Sequence, residues 1–207
     1  MQAFNDWLHC NGSTYGTWLR GDPRGWRSRR HREDCDGDYK HPPPKGKFDK
    51  EFKQSKDSMK REGVELSVAA RRVACRAMVQ ALQFHHVEVL ALCVGKKGWH
   101  ALIRCPKKTR DGKTIEQMLK SHAEKSLGIA IPRLWRNRIA RHFTGLAKKE
   151  SARALSREGL AEPGGIWAGG CGVKPIKDRT HQTRAVKYIR DHVLQGAFVW
   201  LWLQELP

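Results

Sequence analysis

The stretch VEVLALCVGKKGWHALIRC, residues 87–105, constrains the fold more than any other part of the chain. From Val87 to Val94 the run is almost wholly apolar, the pattern of a central strand. Gly95 and the two lysines after it make a short turn, and Trp99 to Arg104 pairs back as a second strand. One histidine, His100, lies just past the turn. Two readings of it stand side by side: a ligand of a catalytic metal, or a strand histidine satisfied by solvent or a neighbour.

Around this hairpin the periodicity changes. Leu66, Ala69, Ala70, Val73, Ala74, Ala77, Met78, Ala81 and Leu82 fall at helical spacing, so 66–82 is an amphipathic helix, with Arg71, Arg72 and Arg76 toward its other face. Residues 1–19 read as a strand with a bend at Gly12-Ser13. Residues 20–62 form a long basic insertion that begins with about thirty residues rich in Gly, Pro and charge. The region 106–160 is basic and mostly helical, and the Gly-rich IWAGGCGVKPIKD holds a short strand. RTHQTRAVKYIRDHVLQG is a last helix, with Thr180 as its candidate cap and Gly196 as its stop; AFVWLWLQEL is a final strand or a docked tail. This order suits a single α+β domain over 1–207: a ferredoxin-like (split βαβ) antiparallel sheet with helices on one face, plus basic helical and loop insertions.

Charge narrows the partner. The 40 Lys and Arg outnumber the 21 Asp and Glu, a formal +19, which points to a polyanion such as nucleic acid. No apolar window reaches membrane-spanning length, so no membrane partner is expected and a cytoplasmic setting (bacterial cytoplasm or nucleoid) is. The six cysteines show no CxxC pair, and His31 with Cys35 lacks the second pair that a zinc site needs. Trp18, Arg20, Arg24, Trp26, Arg27, Arg29 and Arg30 interleave guanidinium forks, which grip phosphate, with indoles, which stack on unpaired bases. Arg136, Arg138 and Arg141 in RLWRNRIARHF make a basic helix with Trp135 beside them; Lys148, Lys149 and Arg153 in GLAKKESARAL line part of another helix face.

The segments TYGTWLRGDPRGW, WHALIRC, GLAKKESARAL, IWAGGCGVKPIKD and AVKYIRDH occur in an order that resembles the tyrosine-HUH single-strand transposases, in particular the REP-associated tyrosine transposases. The resemblance spans most of the chain except roughly 30–62 and 120–140. It implies a ferredoxin-like sheet, and a histidine–hydrophobe–histidine triplet on a central strand that holds Mg²⁺ or Mn²⁺. It further implies a tyrosine that attacks the scissile phosphate, and Lys148, Lys149 and Arg153 in a DNA-contacting region. Two departures stand out. Gly98-Trp99-His100 keeps only the second histidine, and the position matched to the nucleophile is Cys171. His100 is therefore the metal-ligand candidate, with His85 or His86 as a replacement partner. Tyr188 is the remaining candidate nucleophile, although Val186, Tyr188 and Ile189 read as core-type residues.

The sequence thus leads to a nucleic-acid-binding protein on a transposase-like fold, taking single-stranded or hairpin DNA or structured RNA, with cleavage lost and no cofactor. The first alternative is an active single-strand transposase or nickase that uses Mg²⁺ or Mn²⁺ and a tyrosine. The second is a structural component of a ribonucleoprotein.

Overall fold

The computed structural model describes residues 6–26, 41–106, 132–161 and 165–202. In chain order these hold β1 (Trp7–Ser13), α1 (Asp49–Asp57), α2 (Val68–Phe84), β2 (Glu88–Val94) and β3 (Gly98–Arg104). There follow α3 (Pro132–Arg157), β4 (Gly172–Pro175), α4 (Arg179–Asp191), a 3-10 turn (His192–Gln195) and β5 (Phe198–Leu201). The strands lie in the order β4-β1-β3-β2-β5, every neighbouring pair antiparallel. Strands β1 to β4, with α2 and α3 as connections, make the split βαβ arrangement; β5 widens the sheet beside β2. The expected α+β, ferredoxin-like sheet is the observed one, but the expectation of helices on one face is corrected. Both faces carry a helix, because β2 and β3 also present apolar residues on the second face.

Helices α2 and α3 pack on each other and cover one face of the sheet. α4 adds a layer on the other face, against β2, β3 and β5. This second cover explains why β2 is apolar from Val89 to Val94. Val89, Leu92 and Val94 enter the α2/α3 core, whereas Ala91 and Cys93 pack with Ala185 and Ile189 of α4. A register shift between Val89 and Ala91 lets both sets point correctly, since the extra residue resets the alternation.

Trp99, Ala101 and Ile103 of β3 meet Leu8 and Cys10 of β1 in the same α2/α3 core. Trp99 lies opposite Gly12 and is fully buried. A Cβ on Gly12 would stand 2.7 Å from the Trp99 indole nitrogen, so glycine there makes room for the indole.

Local signals fix the ends of the elements. The Ser67 side chain accepts a hydrogen bond from the Ala70 amide and starts α2 one residue later. α4 is capped by Asp178, whose carboxylate accepts from the His181 amide, not by Thr180, which falls inside the first turn. Gly196, at φ 75°, ends the 3-10 turn, whereas the helix expected to run to it stops at Asp191. The long insertion is not all loop, because it contains α1. The final apolar segment forms β5, and residues 203–207 lie outside the described ones.

Candidate active site

Strand alternation builds this site. β1 turns Leu8 and Cys10 into the α2/α3 core, which leaves His9 and Asn11 on the opposite face. β3 turns His100 and Leu102 the same way. Register sets His100 across from Asn11, which places His9 on the neighbouring diagonal. His9 Nε2 and His100 Nδ1 are 3.3 Å apart.

α4 supplies the rest. Ala185 and Ile189 seat it on Ala91, Cys93 and Leu102, and Tyr188 and His192 are one turn apart. The Tyr188 ring meets His100 edge-on at 5.1 Å and His192 at 4.6 Å, centroid to centroid. His192 is 4.8 Å from His100, and Tyr188 is 5.9 Å from His9. Three imidazoles and a phenol, from three parts of the sequence, share one patch. Tyr188 is 49% exposed, so the core-type reading of it is corrected: Ile189 takes the buried position and Tyr188 the rim.

Burial pushes the His9 imidazole down to about 4, with further repulsion from Lys174, His181 and His192. It pushes His100 down to about 3, with help from His9 and His192. Lys174 lies directly across from His9 on β4. At neutral pH both rings are therefore uncharged. One of the two facing nitrogens donates to the other, and a cation between them requires the donor ring to carry its proton on its other nitrogen. Rings that hold a proton so weakly are poor general bases, which suits them to ligation instead.

The pair fits a divalent ion in one respect: nitrogens 3.3 Å apart match adjacent ligands on one ion with bonds of about 2.1 Å. In His192 the Nδ1–H donates to the Tyr188 carbonyl at 2.8 Å, which leaves Nε2 as the nitrogen with a lone pair. Among the described residues, no three His, Cys, Asp or Glu side chains are already arranged as a cage. The His9–His100 pair is the fixed part, and His192 is the neighbouring third imidazole.

The glycine at position 98 has a steric cause. A Cβ at Gly98 would lie 2.7 Å from the Gly12 carbonyl oxygen, so this backbone has no room for a histidine there. His9, from the adjacent strand, stands beside His100 instead. Sequence reading missed it, although Leu8 and Cys10 alternate around it in WLHCNGS and place it on the free face. His85, by contrast, packs against Phe84 and Phe143 at the end of α2.

Cys171, the position matched to the nucleophile, lies away from this patch. It packs with the α2/α3 core and its Sγ is 3.3 Å from Thr144 Oγ1, on the other side of the sheet from His100.

The remaining candidates separate by what holds them. Trp26 is 8% exposed and meets Phe48 edge-on, so it is a core indole rather than a base-stacking one. Trp18 stays 50% exposed. The Arg24 guanidinium is forked onto Asp22, while Arg20 lies over the Trp26 ring. Lys148 donates to the Ala168 and Gly170 carbonyls, and burial lowers its pKa, so it pins the loop before β4. Arg153 pairs with Glu150; Arg141 and Lys149 are exposed on α3, and Arg138 is half-buried there. Arg27, Arg29 and Arg30 lie outside the described residues, as does the Arg136 side chain. A separate cleft of about 1230 Å³, between residues 56–67 on one side and Gly159, Leu160, Ala161 and Ile166 on the other, shares no lining residue with the histidine patch.

No family model and no curated protein matches the chain. Among solved structures it is similar to a REP-associated tyrosine transposase bound to a REP hairpin, at 12% identity and a TM-score of 0.41, over 94% of this chain and 70% of that one. No helix among the described residues is long and apolar enough to cross a membrane.

Proposed function

We propose that the chain binds single-stranded or hairpin nucleic acid and cleaves and rejoins it through Tyr188, with His9, His100 and His192 as the cation-holding side chains. The observation that carries this reading is the convergence of the half-exposed Tyr188 phenol with His100 and His192 at ring-contact distance. It replaces the expectation of a binding protein whose cleavage has lapsed. That expectation rested on a single histidine and on Cys171 at the position matched to the nucleophile; His9 stands as a second imidazole and Tyr188 as the phenol.

The chemistry is a phosphoester exchange. The Tyr188 oxygen forms a bond to phosphorus, the bond from phosphorus to one sugar oxygen breaks, and the phenol proton ends on that leaving oxygen. One ester replaces another, so the step is close to reversible and suits rejoining. A divalent ion, when bound, polarises the phosphate oxygens and steadies the charge that develops there. The protein's own share is to keep His9 and His100 neutral by burial and to hold Tyr188 on α4 facing them. Imidazole donors favour softer ions over Mg²⁺, so Mn²⁺ is the better expected activator of the two. Lys174, exposed on β4 beside His9, adds positive charge where a phosphate would sit.

The test is a labelled single-stranded hairpin with Mn²⁺, resolved on a denaturing gel. A covalent protein–nucleic-acid band is expected, absent for Tyr188→Phe and sharply weakened for His9→Gln. Salt-sensitive binding with no such band in the unaltered protein would leave binding alone as the function.

A further inference from the structure

Among the described arginines of the early loop, Arg24 is bound differently from what a phosphate-gripping residue requires. Asp22 is only 2% exposed, and it accepts from Arg24 twice through the side chain, at 2.9 and 2.6 Å, and once through the Arg24 amide at 2.9 Å. The same guanidinium donates to the Thr17 carbonyl at 2.6 Å. With two directions of its fork committed, Arg24 is locked in place. Its guanidinium carbon then lies 4.1 Å from the centre of the Trp18 ring.

The loop beneath is equally fixed. Thr14 and Thr17 donate to the Lys97 carbonyl at the tip of the β2–β3 hairpin. Gly21, at φ 84°, lies against α1 so closely that a Cβ would stand 2.3 Å from the Phe52 amide. Trp18 is therefore a flat ring backed on one side by a clamped cation and half open to solvent.

The geometry points to Trp18 as a stacking platform for one unpaired nucleobase, with Arg24 as its rigid backing. The backing cation and the chain's +19 charge disfavour a cationic ligand on the open side and favour a flat ring that arrives on a polyanion. Such stacking tolerates any base, because each has a π-face. This deepens the nucleic-acid reading above and rests on its binding part, not on cleavage.

The experiment compares two hairpin oligonucleotides that share one stem, one with a six-nucleotide single-stranded tail and one whose tail is abasic. Binding is followed by anisotropy at fixed salt, without divalent ions. The unaltered protein is expected to prefer the base-bearing tail by about 5- to 150-fold. Trp18→Ala erases that preference, Trp18→Phe keeps most of it, and Arg24→Lys loses much of it although the charge remains. Thermal melts confirm that each variant is folded, and the stem-only affinity provides a second reference.

Equal affinity of the unaltered protein for both tails overturns the platform while leaving nucleic-acid binding intact. So does an undiminished preference in Trp18→Ala. Failure to bind either oligonucleotide overturns the nucleic-acid reading and the platform together.

Discussion

The two faces of the sheet are built from alternate residues of the same strands, yet they meet opposite surroundings. One face sends Leu8, Cys10, Trp99, Ala101 and Ile103 into a dry layer under α2 and α3. The other sends out His9, Asn11 and His100, and α4 covers it only in part. Beside the apolar seat of Ile189 and Leu102, that second face keeps imidazoles and a phenol at the rim. Polar side chains persist there because cover is incomplete and they satisfy one another; under α2 and α3 the same groups would be orphaned. The larger apolar core lies on one face; the imidazole–phenol cluster lies beside a smaller one on the other.

The largest expected test of that division replaces one residue on each face. Trp99→Ala should cost about 3–5 kcal/mol, since it empties the space that Gly12 leaves for the indole. His100→Gln, its neighbour in sequence, should change the urea midpoint little while weakening cation binding. If both substitutions cost the same, the faces are not distinct in the way described.

A smaller effect is expected from Gly98→Ala, about 1–3 kcal/mol of lost stability in urea unfolding, as the new methyl meets the Gly12 carbonyl. By the same argument Gly98→His should not raise affinity for Mn²⁺ in a calorimetric titration, whereas His9→Gln should lower it.

The pH dependence sharpens the comparison further. Above about pH 6.5 His9 and His100 are neutral both folded and unfolded. Below it the unfolded chain takes up protons that the folded pair refuses until about pH 4 and about pH 3. The unfolded state then binds more protons, so stability falls as the pH drops from about 6.5 through 4. Melting temperatures across that range should fall less steeply in the His9→Gln/His100→Gln double variant than in the unaltered protein. Smallest of all, Asp178→Ala removes the cap of α4 and should cost about 1 kcal/mol, read as a modest drop in melting temperature.

Much of the scaffold is legible in the sequence. The apolar run before the Gly/Lys turn marks β2, and the helical spacing from Leu66 to Leu82 marks α2 within two residues. The Gly196 stop follows from local chemistry, since glycine adopts the left-handed conformation without strain. The helix inside the insertion was hidden because Asp49–Asp57 buries no residue, and so carries no apolar stripe to read.

The site was legible only in pieces. His100 and Tyr188 stand out as single residues, but His9 sits 91 positions from His100, and nothing local ties them. Trp18 and Trp26 look alike in one basic run, yet one is half open and the other closed against Phe48.

What the sequence determines by itself is where strands and helices form, because period and turn chemistry act over a few neighbouring residues. Which side chains become a site is decided by the tertiary structure. Antiparallel register brings His9 to His100, the seating of Ile189 aims Tyr188 at both, and the Gly12 carbonyl closes position 98. These are contacts between distant segments, and only packing of the sheet and α4 sets their distances.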